Sequence, residues 1–144
     1  MKLSTRGRYG LRLLIDLAEH PDEGHLALAA VAERQRISVR YLEQVAVILR
    51  RSGFIRSIKG ASGGYALARS PETIGVGDVL RALEGDIYLV DPVRPEERQT
   101  AVQRCVRSLV YDRLNDRVAA LLDSKTLAHL IGQDASTDGC MFFI

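Results

Sequence analysis

Arg36-Ile37-Ser38-Val39-Arg40-Tyr41-Leu42-Glu43-Gln44-Val45-Ala46-Val47-Ile48-Leu49-Arg50-Arg51 decides how the chain is read. Leu42, Val45, Ala46 and Leu49 fall on one face of a helix from Val39 to Arg51, and Ser38 stands where an N-cap accepts an orphan amide. Just upstream, Leu28, Val31 and Ala32 share one side of a shorter helical pattern, Leu28 to Arg34. Two short helices that meet across a few residues, the second longer and ending in Arg50-Arg51, outline a helix-turn-helix. The small Ala32 suits a close crossing of the two. Downstream of Ser52-Gly53 the period changes, and Phe54 to Lys59 and Tyr65 to Ala68 read as two strands joined by Gly60-Ala61-Ser62-Gly63-Gly64. A glycine-rich hairpin directly behind a helix-turn-helix is a wing.

The chemistry of this module is that of DNA recognition, which needs phosphate contacts for position and base-edge contacts for identity. Gln44 is suited to bond bidentately to adenine and Glu43 to accept from a cytosine amine, while Ser38 and Arg40 suit phosphate or base contact. Tyr41 and Arg51 complete the candidates on that helix, and Arg56, Lys59, Gly60, Ser62 and Gly63 are the candidates on the wing. Charge agrees with this placement. Residues 1 to 70 carry 12 Lys and Arg against 6 Asp and Glu, a net +6, whereas residues 71 to 144 carry 8 against 12, a net of −4.

Working outward, Leu11, Leu14, Ile15 and Ala18 predict a helix from Thr5 to Glu19, capped by Ser4 or Thr5, that carries the basic candidates Arg6 and Arg8 beside Tyr9. Ser70 to Thr73 is a turn, and Val76 to Leu83 is a short helix with Val79, Leu80 and Leu83 inward, ended by Glu84-Gly85. Residues 86 to 99, with two prolines, read as loop. From Thr100 to Leu122 a single long helix aligns Val102, Val106, Leu109, Val110, Leu114, Val118 and Leu121 in an apolar stripe that needs a partner surface, which predicts dimerisation. Cys105, at helical distance from Ala101 and Leu109, reads as a small buried hydrophobe. A last helix is expected from Ser124 to Ile131, then a polar stretch and the apolar end Cys140-Met141-Phe142-Phe143-Ile144.

The expected fold is mainly α with a small β wing. Its parts are a winged helix-turn-helix DNA-binding domain over 1–85, a dimerisation region with the long helix over 86–132, and a tail over 133–144. With 144 residues, 47% hydrophobic and 26% charged, the composition is that of an ordinary globular chain and excludes a large enzyme. No apolar run is long enough for a membrane span and the start does not read as a signal peptide, so a cytoplasmic protein without membrane contact is expected. Two cysteines without a CxxC spacing supply neither a disulfide framework nor the usual zinc site. His20, His25 and His129 read as ordinary polar residues. Because no Ser-His-Asp order, HExxH or P-loop occurs, no catalytic residue, metal or cofactor is assigned.

Three segments also carry a resemblance. Lys2-Leu3-Ser4-Thr5-Arg6-Gly7-Arg8-Tyr9-Gly10-Leu11, Ile37 to Gln44 and Ile58-Lys59-Gly60-Ala61-Ser62-Gly63-Gly64-Tyr65 resemble, in order, the signatures of the Rrf-two family of bacterial winged-helix regulators. The resemblance implies a homodimer on a palindromic operator in double-stranded DNA. Ser38, Glu43 and Gln44 would face the major groove, Lys59 the minor groove, and Gly7-Arg8-Tyr9 the DNA backbone, with the helix at 100–122 in the dimer contact. Cluster-binding members carry three closely spaced cysteines before the long helix, and Ile87 to Arg107 holds only Cys105. Leu83-Glu84-Gly85 and the end Met141-Phe142-Phe143-Ile144 are instead similar to the family's repressors of cysteine metabolism. Those act with O-acetylserine sulfhydrylase (cysteine synthase), which makes Phe142, Phe143 and Ile144 a candidate docking peptide; the alternative is that the tail completes the protein's own core. Two other readings stay open: an iron-sulfur or thiol redox sensor of the same family, and a winged-helix module for protein interaction.

Overall fold

The computed structural model describes residues 2–132. Three helices form the helical core of the first half: α1 (Thr5–Glu19), α2 (Leu28–Gln35) and α3 (Val39–Arg51). The wing follows as β1 (Ile55–Ile58) paired antiparallel with β2 (Gly64–Leu67), Ile55 opposite Leu67 and Ile58 opposite Gly64. Helix α4 (Val76–Glu84) then returns across α1 and α3. The winged helix-turn-helix is therefore present, with α3 in the recognition position.

The core faces of α2, α3 and α4 lie where the periodicity puts them. Leu28, Val31 and Ala32, then Leu42, Val45, Ala46 and Leu49, then Val79, Leu80 and Leu83 are all buried. Ser38 caps α3 as expected, its Oγ accepting from the Tyr41 amide at 3.1 Å. The turn before it ends α2 with Arg36 in the left-handed region (φ 55°), and Ile37 is buried beneath it.

Helix α1 is rotated from its expected setting. Leu13, Leu14, Leu17 and Ala18 are buried, while Leu11 and Ile15 are only half-buried at the edge of the core. The cause is a charge in the buried face: Asp16 is 1% exposed and accepts from Arg34 Nη2 at 2.7 Å, Arg34 Nε at 3.1 Å and Gln35 Nε2 at 2.9 Å. Asp16 thus ties α1 to the last turn of α2, and the neighbouring Leu13 and Leu17 are drawn inward with it.

The long helix is present but not uniform. It runs as α5 (Ala101–Val106), a π-helical segment (Arg107–Tyr111) and α6 (Asp112–Asp123). The wider π turn shifts the phase of the side chains that follow, so the stripe counted at a single period does not stay strictly in line. Cys105 is exposed, not buried, because among the described residues no other element covers that part of α5. The final helix is shorter than expected: Ser124 ends α6, and α7 spans Leu127–Leu130 from a Thr126 N-cap. It docks in the core through the buried Leu127, whose amide donates to the Ile74 carbonyl at 2.8 Å. Among the described residues no helix is long and apolar enough to cross a membrane. The tail assigned to partner docking, Phe142, Phe143 and Ile144, lies outside the described residues.

Candidate nucleic-acid interface

The outer face of α3 presents Ser38, Arg40, Glu43, Gln44 and Arg51 to solvent, in line with the buried row on its opposite side. The N-terminal turns of α1 add the exposed Arg6 and Arg8, and a depression of about 200 Å³ lined by Ser4, Arg6, Tyr41, Gln44 and Val45 brings Arg6 and Gln44 to one edge. Tyr41 faces this seam and not open solvent. Its hydroxyl lies 2.7 Å from Thr5 Oγ1 and its ring meets Tyr9 edge-on with centroids 5.2 Å apart. Both tyrosines thereby set the angle between α1 and the recognition helix.

At the wing, Arg56, Lys59, Gly60 and Ser62 are exposed and Gly63 is half-buried in the turn. Gly63 is required by sterics, because a Cβ there would stand 2.1 Å from the Ile58 carbonyl oxygen. The hairpin is not free at its base or tip. Leu26 and Tyr65 exchange two backbone hydrogen bonds of 2.8 Å, and His25 Nε2 donates to the Ser62 carbonyl oxygen at 2.5 Å. The α1–α2 connection therefore holds the wing through a single antiparallel bridge at Leu26 and the His25 side chain, a role for His25 that its sequence context does not reveal.

Glu84, the last residue of α4, also acts at the start of α1. Its Oε1 accepts from the Ser4 amide at 3.0 Å, the Ser4 hydroxyl at 2.5 Å and the Gly7 amide at 3.0 Å. A carboxylate from α4 thus satisfies open amides at the start of α1, in place of the side-chain cap that Ser4 or Thr5 is expected to supply. Gly7 permits the approach: a Cβ would come within 2.4 Å of that oxygen. Pairing over 80 residues of separation leaves no local signal.

The seven stripe residues of the long helix lie apart from this face. Val102 is 71% exposed, Leu121 60%, and Leu109, Val110 and Leu114 are also exposed, with Val106 and Val118 half-buried. The helix is anchored to the winged-helix unit by polar links. Arg81 donates to both oxygens of Asp123 (2.7 and 3.1 Å), which holds the Asp123 carboxyl below its ordinary pKa. Asn115 clamps the preceding loop by accepting from the Leu89 amide at 2.7 Å and donating to the Val90 carbonyl at 2.9 Å.

A helix-turn-helix with a basic outer face, followed by a held wing, defines a DNA-binding protein of the transcriptional-regulator class and not an enzyme. The comparisons agree. The Rrf2 model, described as an iron-dependent transcriptional regulator, matches residues 3–133, and the chain belongs to that family. It is 39% identical over 145 residues to the HTH-type transcriptional regulator CymR of Bacillus subtilis, covering 100% of both chains. Its fold is similar to the solved structure of CymR, the global cysteine regulator of B. subtilis, with a TM-score of 0.77 and 42% identity over 90% of this chain and 95% of that one. It is also similar to the structure of T. potens IscR, with a TM-score of 0.72 and 39% identity over 90% and 85% of the two chains.

The family description raises the question of iron. No three His, Cys, Asp or Glu side chains among the described residues converge to hold a metal ion, and Cys105 is the only thiol among them. An iron-sulfur cluster needs several soft ligands together. The donor set among the described residues does not fit one.

Proposed function

We propose that the protein is a homodimeric repressor of cysteine and sulfur-metabolism genes that binds a palindromic operator through residues 38–51 and the wing at 54–68. Residues 1–85 form the reading unit, 86–132 the pairing unit and 133–144 a tail. The observation that carries the dimer is the exposure of five large apolar side chains, Val102, Leu109, Val110, Leu114 and Leu121, along one long helix, since apolar surface in that amount is retained for a contact even where the π turn breaks the row. A second copy is the natural cover, because an isologous pairing buries the same row twice. Similarity to CymR supports the sulfur-metabolism role, and among the described residues no cluster-compatible donor set stands beside it to support a cluster-sensing one.

Within the reading unit, Gln44 and Glu43 supply base readout, Ser38, Arg40 and Arg51 flank them, and Arg6 and Arg8 position the backbone beside Tyr9 and Tyr41. Arg56 and Lys59 reach along the wing, where Gly60, Ser62 and Gly63 let the chain approach a groove. In the same reading, Phe142, Phe143 and Ile144 dock O-acetylserine sulfhydrylase through an apolar anchor and a terminal carboxylate. Selection of bound fragments from genomic DNA tests the operator and its genes, and enrichment of unrelated loci would overturn the sulfur assignment. On the selected operator, Gln44→Ala should lose about 1–3 kcal/mol of discrimination at its base pair, while Arg8→Ala weakens operator and scrambled DNA alike and lowers the salt slope by about one. Equal losses on both DNAs for Gln44→Ala would move that residue from readout to positioning.

A further inference from the structure

A cavity of about 330 Å³ lies between the α1–α2 corner and the root of the wing, away from the seam between α1 and the recognition helix. Its floor is hydrocarbon, with Leu17 and Leu67, and its remaining wall includes His20, His25, Arg56 and Arg69. No Asp or Glu side chain lines it. Two of the basic groups are uncommitted: among the described residues neither Arg56 nor Arg69 meets a carboxylate, and neither donates a side-chain hydrogen bond within the chain. The Arg69 guanidinium carbon lies 4.7 Å from the centroid of the Phe54 ring, a cation–π contact that uses none of its N–H donors. His20 uses Nδ1 on the Asp16 carbonyl oxygen at 2.7 Å and His25 uses Nε2 on Ser62, so each keeps its other ring nitrogen.

Apolar floor and cationic wall together select an occupant with two ends. The volume is at the low end of small-molecule sites, roughly 300–1,000 Å³. A guanidinium edge matches a carboxylate bidentately, and the leucine floor matches a short aliphatic body. The site also spans two elements that must keep their relative setting for DNA binding. The corner supplies His20 and His25 and the hairpin supplies Arg56, opposite Ala66 in the β1–β2 register. We infer that this cavity is an effector site for a small aliphatic carboxylate, which bridges the α1–α2 corner to the wing and holds Arg56 on the cavity wall, withholding it from DNA.

The binding half is independent of the assigned DNA contacts, and the coupling half rests on the placement of Arg56 at the DNA. Titration of the DNA-free, ¹⁵N-labelled protein with hexanoate, followed by amide shifts, therefore comes first. Saturable shifts should concentrate at Leu26, Tyr65, Ala66 and Arg69, with hexanamide at least tenfold weaker and inorganic phosphate weaker than hexanoate. Arg69→Gln should weaken hexanoate at least tenfold, and Ala66→Leu should block it by filling the space with all charges retained. Shifts that do not saturate, equal binding of hexanamide, or indifference to both variants would overturn the site. Phosphate equal to hexanoate would make it a seat for the DNA backbone and overturn the carboxylate assignment. Saturating hexanoate should then lower operator affinity at least fivefold for wild type and not for Arg69→Gln; unchanged affinity with hexanoate bound would overturn the coupling.

Discussion

Two regions of this chain follow the same rule of apolar spacing and end in opposite environments. On α3 the row Leu42, Val45, Ala46 and Leu49 is wholly buried, whereas on the long helix Val102 and Leu121 remain mostly in contact with solvent. The difference is in what the chain brings to each row. Helices α1, α2 and α4 and the wing close around the Leu42, Val45, Ala46 and Leu49 face of α3, leaving only Val39 and Val47 of its large apolar side chains exposed, while the long helix is met by the loop at 86–99, by α4 and by polar links at Arg81 and Asn115. Periodicity says that a face is to be covered. It does not say by which chain.

The sharpest way to break that comparison is a charge in each row. Leu114 is 43% exposed in the single chain, so Leu114→Asp should cost the isolated subunit only about 1–2 kcal/mol of partial burial. In a symmetric dimer the change buries two unpaired carboxylates, each costing several kcal/mol, which should raise the dimer dissociation constant by roughly a thousandfold or more. Sedimentation velocity at micromolar concentration should show a dimer for wild type and a folded monomer for the variant, with operator binding reduced to that of one half-site. A compact wild-type monomer would remove the distinction between the two regions.

A smaller effect separates the reading unit by its own buried charge. Burial raises the pKa of Asp16, but hydrogen bonds from Arg34 and Gln35 and the nearby charges of Arg34 and His20 outweigh it, so the carboxyl sits below its ordinary 3.8. A depressed pKa contributes stability that is present above the unfolded value, about 3.9, and is lost as pH falls through the lower folded value. Asp16→Asn should cost about 2–3 kcal/mol at neutral pH. This is below the usual loss for breaking a buried pair, because the Arg34 side chain is a third exposed and regains water. Thermal melts from pH 7 to 2.5 should show wild type losing its advantage below about pH 4. Curves that stay parallel through that range would show that Asp16 is not the group involved.

The division between what was legible and what was not follows the range of the interactions. Local rules found α2, α3 and α4, the Ser38 cap, the hairpin and the exposed outer face of α3, because spacing, capping and turn chemistry act over a few residues. They failed where the partner is distant. Leu13 and Leu17 replaced Leu11 and Ile15 as core because Asp16 is pulled in by Arg34 from α2. Cys105 lies on the expected helix, but among the described residues no element covers it. His25 and Glu84 bond across 37 and 80 positions. A helical period also cannot anticipate the π turn at Arg107–Tyr111, which keeps the same hydrophobic pattern with a different pitch.

The smallest effect lies at the border between the two regions, where Glu84 closes α4 one residue before the chain leaves toward the long helix. Its carboxylate holds the first turn of α1, the turn that places Thr5 on the Tyr41 hydroxyl and Arg6 beside Gln44. Glu84→Gln keeps an oxygen acceptor but removes the negative charge from the positive end of α1, a change of about 1 kcal/mol. Glu84→Ala removes the acceptor as well and leaves three donors without it, so it should cost more than the Gln variant. If Glu84 only stabilises the fold, operator and scrambled DNA should weaken in the same ratio once the protein is fully folded at low temperature. If it positions the reading face, Glu84→Ala should narrow the ratio of operator to scrambled affinity while Glu84→Gln largely preserves it. The sedimentation coefficient of both variants should remain that of wild type, since none of the three hydrogen bonds reaches the long helix. A change in assembly with an unchanged affinity ratio would instead place Glu84 on the pairing side of the border.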